Sequence, residues 1–513
     1  MNMKKFIAIF LVMSLCFSAL SGCSKKEDKS NSDSSNNSVT KAADETKDVK
    51  DMPLIKIPFT VMASITDTQD VQDALNTILK DKIGVQVELI PIEVANWQTQ
   101  LNLLLSGSGD SVDLFSSFYY TSISNLVANG QIIPIDDLLS KDGAGILENI
   151  DQSYLDCTKI NGKLYGVPSF NAYCSGNDIF LREDLARSAG IDTTKVTNWD
   201  NLTDVMIQLK TAYPDKDLIP GTNQGYYVPK DIDNLGDTKL LGVLMDPTNS
   251  ATVSNYYESD QFMKMLEYAK TWKKNNLFAA DPLNNNDTPA NFVMNDTAIG
   301  QMGYSFNAQI DAQIQGNSYS KEMTGLMLTK PLATTSSVTT STWHVSAFCK
   351  NPEAAMKVLN ELYSDPEVAN LMINGIEGKH HVINQDGLCE LLPGVKDAFS
   401  QNGWILGIGI FWPNMSIATP WATDPKDYYQ AMKDANETCD KSIALGFVYD
   451  NSNTVNEITA CSNVVSQYWN SLMYNEVDID EVLPVFQKAL KDAGIDTIIA
   501  DKQEQLDTWM QSK

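Results

Sequence analysis

Between Leu54 and Ile90 the apolar residues change their period twice. Leu54 to Met62 (LIKIPFTVM) alternates as a strand does, Val71, Ala74, Leu75, Ile78 and Leu79 recur at helical spacing, and Val85 to Ile90 (VQVELI) alternates again. A strand, a helix and a second strand in that order open a parallel sheet covered by helices, so the chain begins with an α/β lobe. A second round follows, with Trp97, Leu101, Leu104 and Leu105 on one helical face, a Ser106-Gly107-Ser108-Gly109-Asp110 break, and the short apolar strand Val112-Asp113-Leu114-Phe115. Ligands of open α/β sheets lie beyond the carboxyl ends of strands. Ser117, Tyr119 and Tyr120, which follow this strand, are therefore candidate ligand contacts.

What precedes the lobe has a different physical character. Lys4 and Lys5 are followed by an apolar run from Phe6 to Ala19 and then by Leu20-Ser21-Gly22-Cys23. This is the layout of a secretory signal, and its apolar run is shorter than the ~20 residues of a spanning helix. Residues 1–22 are expected to be removed. The Leu-Ser-Gly-Cys junction resembles the lipobox of bacterial lipoproteins, in which small residues let a peptidase grip the chain and the Cys thiol takes a diacylglycerol thioether. Cys23 is thus the expected lipidated first residue, anchoring the protein to the cell membrane on its extracytoplasmic side. Residues 24–50 are Ser, Asn, Asp and Lys with almost nothing apolar to bury, which reads as a flexible tether reaching on the order of 30 Å.

The chain from Asp51 to Lys513 is longer than one hydrophobic core usually supports, so two or more lobes are expected. A net charge of -27 repels nucleic acid backbones and anionic lipid heads, which argues against both as partners. Eight Cys are present, and outside the leader and Cys23 they show neither disulfide-scaffold nor zinc spacing, so buried free thiols are expected. No nucleophile elbow, phosphate loop or HExxH motif occurs, and the three His are His344, His380 and His381. Among 65 acidic residues no spacing singles out a catalytic pair. No metal and no cofactor is expected, and no enzymatic activity. Thr197 with Asp200 reads as a capping box, and Asn351-Pro352-Glu353 and Asp365-Pro366-Glu367 as helix starts. The last seventy or so residues carry three helical stripes: Ile458, Cys461, Val465, Tyr468 and Leu472; Val482, Leu483, Phe486 and Leu490; and Leu506, Trp509 and Met510.

Several passages in a fixed order resemble the family 1 extracellular solute-binding proteins. Leu103-Leu104-Leu105-Ser106-Gly107 with Asp113-Leu114, then residues 131–138 (QIIPIDDL), then residues 161–168 (NGKLYGVP) are similar to that family's first lobe. Gly375-Ile376-Glu377-Gly378-Lys379-His380, Asn436-Glu437, Leu445-Gly446-Phe447, Asn463-Val464, residues 492–496 (DAGID) and residues 505–509 (QLDTW) are similar to a subgroup of large lipoproteins with a helical C-terminal extension, mostly assigned to carbohydrate import. The chain departs from the pattern at His381 and at residues 407–412 (GIGIFW), which leaves the ligand open. The resemblance implies a two-lobed α/β fold of the periplasmic-binding-protein type with crossing hinge strands. The first lobe would comprise residues 51–168 with about 325–365, the second 169–324 with about 366–440, and the extension 441–513.

The same resemblance implies an importer's substrate-binding component that captures a carbohydrate in the cleft, closes on it and hands it to ABC permease subunits as a monomer. A sugar offers C–H faces to aromatic rings and hydroxyls to directed polar groups. Beside Ser117, Tyr119 and Tyr120, the residues suited to this are Asn171, Tyr173, Tyr304, Asn307, Trp343, Trp404, Trp412 and Trp421. Glu377 and His380 are read as holding a turn, and His344 as a core or cleft-edge residue. Import of a peptide or another solute, a surface glycoside hydrolase, and a ligand sensor are the competing readings.

Overall fold

Leu54–Val61 and Gln86–Glu93 pair in parallel, Leu54 opposite Gln86 and Val61 opposite Glu93, and the helix Thr68–Ile83 makes the crossover. Burial of Ile55, Ile57, Phe59 and Val61 against Val71, Leu75 and Leu79 is what the changes of period imply. The computed structural model describes residues 52–62, 65–107, 109, 111–118, 120–395, 402–404 and 412–512. The leader, Cys23, the tether, Tyr119 and residues 407–411 lie outside the described residues. Leu114–Ser116 pairs antiparallel with Thr342–Val345, which also pairs with Val167–Pro168, so chain far apart in sequence closes the first lobe.

The second lobe is built on Cys174–Arg182, flanked antiparallel by Gly300–Ser305 and Met323–Met327. The first two residues of this strand pair instead with Leu332–Ala333, which in turn pairs parallel with Asp440–Lys441. Three passages of chain therefore run side by side between the lobes. Ile179 and Leu181 share a core with the helices Trp199–Ala212 and Asp260–Lys274. Three C-terminal helices, Val455–Met473, Ile479–Asp492 and Ile495–Ser512, add Cys461, Val465, Phe486, Leu490 and Ile498 to that same core. The extension is packed on the second lobe.

Three sequence expectations change. Residues 366–440, assigned above to the second lobe, contribute Val368, Met372, Trp404, Trp412 and Met432 to the core of the first. The helix Pro366–Asn374 lies against Thr68–Ile83, and Lys82 pairs with Asp365 and, at 3.4 Å, with Glu367. Met323–Met327 belongs to the second-lobe sheet, so the return to the first lobe starts nearer Leu332 than residue 325. The helix expected to be capped by Thr197 is capped by Asn198, whose side chain accepts from the Asn201 N–H at 2.9 Å. Asp365 does cap its helix, accepting from the N–H groups of Glu367 and Val368. Among the described residues no helix is long and apolar enough to cross a membrane.

Candidate functional site

The strand Leu114–Ser116 ends in a ladder of buried hydroxyls. Ser116 meets Ser341 at 3.1 Å, Ser341 meets Ser169 at 2.9 Å, and Ser117 donates its N–H to the Thr342 carbonyl at 2.9 Å. These bonds fix the end of the first-lobe sheet to the passage that leads into the second lobe. Beyond Ser117 opens a cavity of about 610 Å³. Its walls are residues 121–125 of the first lobe, residues 235–239 of the second, Thr335 and Ser336 after the second crossing, and residues 447–449 of the C-terminal extension. Hydroxyl-bearing side chains make up most of the first-lobe side, where Ser122 caps a short helix through the Asn125 N–H. Tyr120 turns away from this lining, donating its hydroxyl to Asn102 Oδ1 at 2.6 Å, and burial raises its pKa.

On the second lobe Tyr304 stands opposite Asn177 in the sheet and keeps 58 % of its surface exposed. One face of its ring is covered by Lys230, whose ammonium lies 3.9 Å from the ring centroid. Asn177 holds that lysine in place: its Oδ1 accepts from the Lys230 N–H at 2.9 Å and its Nδ2 donates to the Val228 carbonyl at 2.8 Å. Burial lowers the Lys230 pKa. Asn307 caps the helix Ala308–Tyr319, accepting from Gln309 and Ile310, and edges a separate cavity of about 490 Å³.

The remaining aromatic candidates are deeper. Trp343, Trp404 and Trp412 are at most 1 % exposed and gather around Phe59, with Trp343 stacked on Trp412 at 6.5 Å and Phe59 5.8 Å from both Trp404 and Trp412. Trp404 donates its indole N–H to the Met372 carbonyl at 3.1 Å. Trp421 donates to Asn374 Oδ1 at 3.0 Å and meets His381 edge-on. Tyr173 is buried between Tyr154 and Phe170, and Asn436 clamps this first crossing by accepting from the Tyr173 N–H and donating to the Asn171 carbonyl, both at 2.8 Å. Of the sequence candidates, Ser117 lines the interlobe cavity, Tyr304 is open to solvent, three tryptophans form one core cluster, and Asn171 and Tyr173 meet at a hinge passage. Tyr119 lies outside the described residues.

The histidines have structural partners. His380 receives the Ile376 N–H on Nδ1 at 2.8 Å and faces Asp67 Oδ2 with Nε2 at 3.1 Å. Gly375, at φ +75°, allows this, since a Cβ there would sit 2.5 Å from His380 Nδ1. His344 is fully buried, its Nδ1 2.8 Å from the Tyr165 carbonyl, and burial drops its pKa to about 4. The six cysteines among the described residues are free thiols, and no cluster of three or more potential metal ligands occurs among them. Sequence reasoning missed Lys230, Asn177 and the loop 235–239. It also missed Lys502, which had a signal: it occupies the buried stripe Ile495, Ile498, Lys502 and Leu506 of the last helix.

Two α/β lobes connected by three adjacent passages, with a cavity walled by both, define the solute-binding class of two-lobed receptor. The family model described as bacterial extracellular solute-binding protein matches residues 64–369, and a domain of unknown function (DUF3502) matches residues 443–511. The chain belongs to the bacterial extracellular solute-binding protein family. A carbohydrate ABC transporter substrate-binding protein of Streptococcus pneumoniae serotype 4 is 25% identical over 481 residues, covering 91% of this chain and 93% of that one. The crystal structure of the N-glycan transport solute binding protein NgtS from Streptococcus pneumoniae superposes with a TM-score of 0.75 at 22% identity, covering 90% of this chain and 99% of that one. An HMO-binding, ABC-transporter-associated solute binding protein from Bifidobacterium longum infantis gives 0.62 at 17% identity over 90% and 99%.

Proposed function

We propose that this protein is the membrane-tethered receptor of an ABC importer, binding an oligosaccharide between its lobes and presenting the closed complex to the permease subunits. The observation that carries the reading is the interlobe cavity of about 610 Å³, walled by hydroxyl-bearing residues of the first lobe and by the loop 235–239 of the second. Its lining sets Ser117, Thr121, Ser122, Asn125 and Thr335 beside apolar surface from Leu235, Phe447 and Tyr449, which suits a ligand that carries both hydroxyls and C–H faces. A relative matched over nearly the full length of both chains is a carbohydrate receptor, and NgtS has been crystallised with Man5GlcNAc. Because ligand would touch both lobes only when they approach, binding energy is available to hold the closed state. Tyr304 offers an open ring face at the second-lobe edge for the C–H face of a sugar. Cys23 would carry the lipid, and the protein would act as a monomer that returns its ligand chemically unchanged.

Calorimetry of the purified protein with Man5GlcNAc and a panel of other oligosaccharides, with short peptides as controls, tests this. Binding of one glycan class, with no new reducing ends after prolonged incubation, is the expected result. Binding of peptides alone would remove the carbohydrate assignment, and steady release of reducing sugar would remove the assignment as a receptor. Radiolabelled palmitate should enter the wild-type protein in its host and not the Cys23→Ala variant.

A further inference from the structure

The C-terminal extension reaches the interlobe cavity by two routes. Directly, Phe447, Val448, Tyr449 and Asn451 form part of the cavity wall, facing the second-lobe loop 235–239. Indirectly, Lys502 of the last helix is fully buried between these two walls. Its ammonium donates to the Gly242 carbonyl at 3.1 Å, lies 3.5 Å from Asp237 Oδ2, and sits 5.2 Å from the ring centroid of Tyr449. Asp237 accepts the Lys239 N–H at 2.8 Å, and the buried Asp233 accepts the Leu235 N–H at 2.9 Å, so the carboxylates beside Lys502 also shape the loop that lines the cavity. On the other wall the Tyr449 hydroxyl donates to Asp501 Oδ2 at 2.7 Å, one residue from Lys502.

We propose that the C-terminal unit of unknown function is part of the ligand site: residues 447–451 form one wall of the cavity, and Lys502 is the positioning residue that holds this wall and the facing loop 235–239 in fixed relation. A leucine at position 502 would fill the same core and permit sliding. A buried ammonium does not, because any displacement leaves it, Asp237 or the Gly242 carbonyl without a partner in a medium that solvates none of them. The segment entering the unit is also tied to the second crossing, since the Gly446 N–H donates to Thr335 Oγ1 at 2.9 Å and that hydroxyl is 3.3 Å from the Ala444 carbonyl. The wall therefore stands where the lobes move against each other. The ligand it faces is the polyhydroxylated solute of the proposed function, and the inference rests on that reading only for the chemistry of the ligand.

Two measurements on the intact protein test the proposal. In Lys502→Met, hydrogen exchange at Leu235, Lys239 and Leu244 should rise about tenfold while Cys174–Arg182 keeps its protection. Adding Asp237→Asn should return much of that protection, because the unpaired carboxylate is then gone. Unchanged exchange at residues 235–244 in Lys502→Met would overturn the positioning role, with or without a known ligand. Calorimetry with Man5GlcNAc should show about tenfold weaker binding for Tyr449→Ala and for Lys502→Met. Wild-type affinity in a folded Tyr449→Ala variant would overturn the wall assignment. If Lys502→Met does not fold, Asp237→Asn replaces it in the exchange measurement, with the same loosening expected at Leu235 and Lys239. Failure of the wild-type protein to bind Man5GlcNAc would count against that glycan, and exchange in the two variants would still decide the positioning role.

Discussion

The tryptophans of the first lobe and Tyr304 of the second are the same kind of side chain in opposite surroundings. Trp343, Trp404 and Trp412 close around Phe59 with at most 2 % of any ring exposed, whereas Tyr304 leaves 58 % of its surface to solvent and lends one face to Lys230. The first group has already exchanged water for protein contacts, so its apolar area is committed to holding Leu54–Val61 against the sheet of Thr342–Val345. Tyr304 has most of that exchange still to make, which is what a ligand contact requires. An aromatic residue in a sequence announces apolar area; its neighbours decide whether that area stabilises the fold or awaits a partner.

The sharpest way to break this comparison is to remove a ring from the buried group. Trp412→Ala leaves a cavity beside Phe59 and Trp343 and should cost about 3–5 kcal/mol of stability. Urea unfolding would read it directly. Any loss of glycan affinity should then track the loss of folded protein, and a folded variant with unchanged stability and abolished binding would move Trp412 from the core to the ligand site.

A second test concerns what holds Tyr304 in place. Asp178 is fully buried opposite Gly303, and its carboxylate accepts from the Ser305 hydroxyl, so it anchors the strand that presents Tyr304. Burial pushes its pKa up to about 7, and the nearby Asp311, itself pushed up to about 6, adds to the rise. A carboxyl raised in the folded state supports stability fully below its unfolded value of ~3.9, and that support is lost as pH rises to about 7. A carboxyl carried from ~3.9 to about 7 sets a ceiling of about 4 kcal/mol on the loss. Asp178→Asn keeps the acceptor for Ser305 and removes the charge, so it should be more stable than wild type at pH 8 and nearly equal to it at pH 4. Equal stability at both values would mean that Asp178 is solvated.

The opening unit was legible because period alone specifies it: the alternation in residues 54–62 and 85–90 and the helical spacing of Val71, Leu75 and Leu79 match the strands and helix found. The C-terminal stripes were legible for the same reason, with Cys461, Val465, Phe486, Leu490 and Leu506 all buried. Which lobe a stripe packs on is a different matter. Val368, Ala369 and Met372 give an apolar helical face that would serve either core, and the choice depends on the position of the helix Thr68–Ile83, nearly three hundred residues earlier. The site was least legible. Composition picked out the tryptophans, yet the interlobe cavity is walled by Ser and Thr side chains mixed with Leu235, Phe447, Val448 and Tyr449, whose positions follow from the two lobes being brought together. Lys502 was visible as a charge in an apolar stripe and could have been flagged on that ground.

Tyr304→Ala is the complementary test to Trp412→Ala. An exposed ring contributes little to stability, so unfolding should change by no more than about 0.5 kcal/mol. Glycan affinity should fall about tenfold, worth about 1.4 kcal/mol. Loss of stability with retained affinity would reverse the roles assigned to the two groups.

The smallest expected effect separates packing from charge within the buried group itself. Trp404 follows Gly403, whose carbonyl accepts from the N–H groups of Thr66 and Asp67 at 3.1 and 3.3 Å. Lys379, 2.9 Å away, is the main influence that holds the Asp67 carboxyl at about 2, and Thr66 and His380 hydrogen-bond to it as well. A depressed carboxyl contributes stability above its unfolded pKa, and that contribution is lost as pH falls from about 4 through 2. Because this carboxylate is partly exposed, Asp67→Asn should lower the melting temperature by only about one or two degrees at pH 7. The difference from wild type should shrink as pH falls through about 2, where the folded-state carboxyl takes up its proton. An unchanged melting temperature at pH 7 would mean that packing of Trp404 against Phe59 holds this loop without help from the charges around it, and the contrast with Tyr304, whose ring is held by a cation, would become sharper.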